Sequence, residues 1–90
     1  MTSKKITYDS LEQLLLHIGF IRGYTAGNHK VYEHTPSDTI ILLPPSQPDE
    51  VVDAIHLLAV RKTVVERGVL DGDEFDRLLE SAETAALSKA

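Results

Sequence analysis

Five consecutive residues, Thr39-Ile40-Ile41-Leu42-Leu43, carry no charge and are fenced by turn-forming residues. Pro36-Ser37-Asp38 precedes them and Pro44-Pro45 follows. A short apolar run bounded by such signals reads as a β-strand. Its near-continuous hydrophobicity reads as a strand covered on both faces, the second by a partner. The turn before it opens on a proline, which pre-sets the first turn dihedral. Upstream, two more short strands are expected over residues 20–25 and 29–35, joined by Ala26-Gly27-Asn28. Gly27 and Asn28 are the turn-forming residues, because Gly and Asn tolerate the positive φ of a tight hairpin. Connections this short imply an antiparallel meander.

Helical patterns flank the strands. Residues 7–18 place Leu11, Leu14, Leu15 and Ile18 on one stripe of 3.6-residue period. Asp9 and Glu12 match a capping box, Thr7 is a competing cap, and Gly19 is the stop. A second helix is expected over residues 48–67, with Pro48 as its first helical residue, acids at its start and bases near its end. Its apolar residues cover more than one narrow stripe. Asp71 and Glu74 match a second capping box, and the helix they open gathers Phe75, Leu78, Leu79 and Ala82 on one face. The expected fold class is α+β, in the order α-β-β-β-α(-α), with a three-stranded antiparallel sheet and helices packed on one face. Residues 1–68 form the main domain with its extended second helix, and residues 69–90 an acidic C-terminal helix packed on the same domain.

Composition narrows the class of protein. Ninety residues, 42% apolar and 26% charged, suit one small globular domain. The chain has no cysteine, so it can form neither a disulfide nor a thiolate metal site. No apolar stretch nears the roughly 18–20 residues of a membrane span. The basic start, residues 1–5, lacks the apolar stretch of a signal peptide. A cytoplasmic protein without membrane contact is expected. The net charge of −5 is unevenly placed: residues 1–65 hold seven acids and six bases, residues 66–90 seven acids and three bases. A dedicated nucleic-acid binder carries a positive excess, so the charge leans towards protein contacts.

Against that stands one stretch of sequence. Gly27-Asn28-His29-Lys30-Val31-Tyr32-Glu33-His34-Thr35-Pro36 follows Ile18-Gly19-Phe20 and precedes a strand closing on Leu43-Pro44. In that order it resembles the HicA family of toxin ribonucleases. Gly72-Asp73-Glu74-Phe75 is similar to the start of a short final helix in some members. The resemblance covers residues 11–44 most closely. It implies a double-stranded-RNA-binding-like fold, His29 in the catalytic position, mRNA as substrate, a HicB-type antitoxin as partner, and no metal or organic cofactor. Where the family has a histidine and a basic entry to the second helix, this chain has Pro45-Ser46-Gln47-Pro48-Asp49-Glu50.

The chemistry the resemblance implies is physically reasonable. RNA is cut without metal when a base takes the 2′-OH proton and the oxygen attacks the neighbouring phosphorus. Histidine suits that work because its ordinary pKa of about 6.5 gives access to both protonation states. Arg22, Lys30, Arg61 and Lys62 are the expected phosphate contacts, with His34 a further candidate, and Tyr32, like Tyr24, is a surface on which bases stack. Strand alternation puts Lys30, Tyr32 and His34 on one face, and His29, Val31 and Glu33 on the other. No two histidines show zinc-ligand spacing, so no metal is expected. The plain alternative for His29 is a solvent-facing turn residue. Two functional readings result. One is the toxin of a type II toxin-antitoxin system, a metal-independent endoribonuclease (mRNA interferase). The other is a non-catalytic module acting through RNA or protein contacts, including a homodimer formed along the long apolar helix or the third strand.

Overall fold

The computed structural model describes residues 6–25 and 27–88, with side chains as far as Ala82. Ala26 of the expected turn and the basic start, residues 1–5, lie outside the described residues. Helix α1 spans Tyr8–His17, followed by strands β1 (Ile21–Arg22), β2 (Lys30–His34) and β3 (Thr39–Leu43). Helices α2 (Ala54–Glu66) and α3 (Gly72–Ser88) complete the chain. The expected α+β order is therefore present, with the third strand at its expected bounds.

The first helix shows how its ends are satisfied. Thr7 is the cap, and its hydroxyl accepts from the Ser10 N–H at 3.2 Å. The Asp9–Glu12 box does not form, because Glu12 is drawn elsewhere (below). The next two free donors go to a distant segment: the Tyr8 N–H donates to the Glu50 carbonyl and the Asp9 N–H to the Pro48 carbonyl, both at 2.9 Å. Such N-terminal donors have no partner inside a helix and are costly to bury unpaired. Leu11, Leu14 and Leu15 are buried, as their spacing required. At Gly19, φ is +110°, and an added Cβ would stand 3.1 Å from the His34 ring. Glycine is needed there for both reasons.

Those two carbonyls also explain the largest departure from expectation. Residues 48–53 are not helical: Val51 pairs with Thr7 in an isolated antiparallel bridge, and the Val52 N–H donates to the Ile6 carbonyl at 2.8 Å. Helix α2 thus begins six residues after Pro48, with Asp53 in an extended conformation as its cap. The β-branched pair Val51-Val52 suits that extended course. Proline and acids marked a helix start correctly in kind but not in place, because the competing hydrogen bonds come from the other end of the chain.

The sheet order is β1-β2-β3, antiparallel throughout. Arg22 faces Tyr32, which faces Ile41; Ile21 faces Glu33, which faces Ile40. Strand β1 is only two residues long, not six. Phe20 turns into the core, and one more ladder bond, from the Gly23 N–H to the Val31 carbonyl at 2.8 Å, follows the strand. In the β1–β2 connection Gly27 and Asn28 form a turn, as their residue types predict, and His29 directly after them is a β-bridge residue. Gly27 has the positive φ, +65°, while Asn28 does not share it. A one-turn 3-10 helix, Thr35–Ser37, links β2 to β3, with Asp38 left-handed at φ +53°.

Tyr32, Ile41 and Leu43 point to the helices and join one core with Leu11, Leu15, Phe20, Val60, Val64, Phe75 and Leu79. Phe75 and Leu79 place α3 in that same core, against α1. The opposite face of the sheet is open along β3, where Ile40 is 61% exposed and Leu42 57%, while Val31 of β2 on the same face is buried. Within this chain β3 is thus covered on one face, not on both. Among the described residues no helix is long and apolar enough to cross a membrane.

Candidate functional site

The residues singled out in the sequence fall into three separate places. His29 is exposed at the loop end of β2, and no other described side chain hydrogen-bonds to it. Lys30 follows it, half-buried and opposite Leu43. Tyr24, in the same loop, is 78% exposed. His34 lies at the other end of β2, five residues on, which is roughly 17 Å along an extended strand. Its Nδ1 meets the Ser37 hydroxyl at 2.7 Å, and its ring lies 5.2 Å from that of Phe20. Ser37 Oγ also meets Thr39 Oγ1 at 2.6 Å, and Arg67 donates to the Asp38 carbonyl at 2.7 Å. These bonds close the β2–β3 turn.

Arg22 and Tyr32 are engaged with each other's neighbour. The Arg22 guanidinium makes a two-pronged pair with Glu12, at 3.0 and 3.1 Å, and the Tyr32 hydroxyl donates to Glu12 Oε2 at 2.7 Å. Charge-assisted bonds of this forked kind are among the stronger ones. The Arg22 hydrogen bonds, with Tyr32 adding to them, hold the Glu12 carboxyl below the usual carboxylate range despite its partial burial. Burial, then the bond to Glu12, pushes the Tyr32 hydroxyl up. Tyr32 is 2% exposed, so it offers no ring face to a base. Tyr24 is the tyrosine with an open ring. The expected RNA-binding group of Arg22, Lys30, Tyr32 and His34 is therefore not one surface, and only Lys30 neighbours His29 in the chain. Strand alternation carried the signal for Tyr32: it shares the face of Ile41 and Leu43. Nothing local pointed to Glu12.

A second feature lies between the third strand and the long apolar helix, the two elements along which a homodimer contact is expected. A groove of about 130 Å³ runs between β3 and α2. Four consecutive strand residues, Ile40 to Leu43, form one wall, so it is the free edge of β3 that lines it. His56, Ala59, Val60 and Thr63 form the other. Beyond Ala59, the same helix exposes Ile55 (73%) and Leu58 (65%), with Lys62 one turn on. The uncharged run 39–43 was the legible half of this surface; the helix half depended on where α2 begins.

Among the described residues no three His, Asp or Glu side chains come together to hold a metal ion. No protein-family model, curated protein or solved structure matches the chain.

Proposed function

We propose that this protein is a small protein-docking module, built on an α+β frame of the kind its resemblance to HicA toxins implies, and working through the free edge of β3 and the apolar stripe of α2. The open β3 edge beside exposed Ile55 and Leu58 carries this reading. A strand edge presents unpaired backbone groups and is a template for another strand. Proteins blunt such edges with charge, proline or bulges, and Thr39 to Leu43 contains none of these. Each exposed Ile or Leu gains about 1.5–3 kcal/mol if fully buried, so a few anchors suffice for specific association. A HicB-type antitoxin is the partner class the resemblance suggests. The test is a photo-crosslinking side chain at Leu42 of the protein in cells, compared with one at Gln13 on the solvent side of α1. Protein adducts from position 42 and not from 13 are expected; absence of protein adducts from both removes the reading.

The exposure of His29 and Tyr24 on one loop favours a second reading, a toxin endoribonuclease of mRNA with His29 as general acid or base. Inducing the protein and its His29→Ala variant in cells distinguishes the two. Growth arrest with mRNA cleavage, lost in the variant, establishes the enzyme; a soluble, folded wild type that neither arrests growth nor cleaves mRNA rejects it.

A further inference from the structure

We infer that the occupant of the β3 edge is a second copy of this chain, paired antiparallel through β3 about a two-fold axis at Ile41, so that two three-stranded sheets become one of six strands. This rests on reading the edge as a protein-docking surface. Three observations select the copy and the geometry.

First, the strand is self-complementary. Reversing Thr39-Ile40-Ile41-Leu42-Leu43 about its centre sets Ile40 against Leu42 and Ile41 against Ile41. Exposed positions then meet exposed ones and buried positions meet buried ones, since burial alternates along β3. A two-fold interface demands this kind of match. Second, charge fixes the direction. Arg67 lies across the Thr39 end of β3, bonded to the Asp38 carbonyl and to Thr39 Oγ1 at 3.4 Å. Parallel pairing in register would place the two Arg67 cations side by side. Antiparallel pairing sets them at opposite ends of the seam, separated by the strand length of roughly 13 Å or more. Third, charge also excludes stacking the two sheets face to face. Glu33 sits between Ile21 and Ile40 on the face that is open along β3, and a stacked pair would bury it against its own copy. Edge pairing leaves Glu33 in water. The same axis brings α2 towards its copy, because α2 borders the seam, and gives Ile55 and Leu58 something to cover them.

Sedimentation equilibrium of the full chain is the first test. The 10.0 kDa chain is expected to sediment at twice its mass. Ile40→Glu sets a carboxylate against Leu42 of the copy twice over and is expected to weaken the dimer about tenfold or more. Adding Leu42→Lys in the same chain gives two Glu–Lys cross-strand pairs and restores it. Both positions are exposed in the single chain, so the fold tolerates them, and the restored double variant shows that it does. The native chain has no cysteine, which allows a second test. A mixture of Ile40→Cys and Leu42→Cys chains is expected to form the mixed disulfide in preference to either symmetric one, because opposed residues lie within reach and diagonal ones about 7–8 Å apart do not. A wild type that stays monomeric, a dimer indifferent to Ile40→Glu, or symmetric disulfides in preference to the mixed one each overturn the proposal. A monomer in solution whose Leu42 position still captures a different protein in cells leaves the docking surface standing and removes only the second copy.

Discussion

Glu12 is the residue on which two expected RNA contacts converge, and its position explains why they are not free. One carboxylate accepts both prongs of Arg22 and the hydroxyl of Tyr32. Its folded pKa lies below the ordinary 4.5, chiefly through the Arg22 bonds. A carboxyl lowered on folding contributes stability that is fully present above its unfolded value and is lost as pH falls through the folded one. Glu12→Gln is therefore expected to lower the urea midpoint at neutral pH, and the gap from wild type to shrink as pH falls below 4.5. A gap that stays constant down to acid pH means that the ion pair is not the cause. Tyr32→Phe keeps the buried ring and removes only the hydroxyl; with Arg22 still holding Glu12, it is expected to cost about 1–2 kcal/mol in denaturant titration. A neutral result places no weight on that bond. At this scale the sequence spoke partly. Alternation along β2 grouped Lys30, Tyr32 and His34 against His29, which fits the inward course of Tyr32. The role of Glu12 was hidden, because its local signal, three residues after Asp9, was that of a capping box.

Elements were legible where the forces that form them are local. Strand β3 stands where its uncharged run lies, between Asp38 and Pro44. Helix α1 follows its leucine stripe, and α3 its second capping signal: the Asp71 side chain accepts the Glu74 N–H at 2.8 Å. Removing that acceptor with Asp71→Ala is expected to lower stability by about 1 kcal/mol, while Asp71→Asn keeps most of it. Equal losses in the two variants, by thermal melting, would show that the cap is not what Asp71 supplies. Because Phe75 and Leu79 lie in the common core, the loss is felt by the whole fold and not by α3 alone. Elements were illegible where the deciding bonds are long-range. Pro48, Asp49 and Glu50 carry every local mark of a helix start, yet Ile6, Tyr8 and Asp9 bond to that segment and hold it extended. Strand β1 is shorter than its pattern predicts: after Arg22, the Gly23 N–H still bonds across to the Val31 carbonyl, and Tyr24 and Thr25 are not in the strand.

Net charge acts on the molecule as a whole, and it separates the two functional readings by sign. Each chain carries −5, with most of the excess in residues 66–90. Helix α3 lies against α1 and α2, whereas the seam runs along the uncharged β3. Two copies approaching edge to edge therefore repel at long range while meeting no charge along β3 itself. Salt screens the first effect, with a Debye length falling from about 30 Å at 0.01 M to about 3 Å at 1 M. Self-association through β3 is thus expected to tighten as sodium chloride is raised over that range. Binding to RNA behaves oppositely, since each phosphate contact releases counterions and weakens steeply with salt. Sedimentation of the chain alone, and of the chain with a short single-stranded RNA, across the same salt series reads both slopes. A self-association constant that falls with salt would mean that opposite charges meet in the contact, which the neutral β3 seam does not provide. An RNA complex that persists at low salt and dissolves at high salt would turn attention from the β3 edge to the loop that carries Tyr24 and His29.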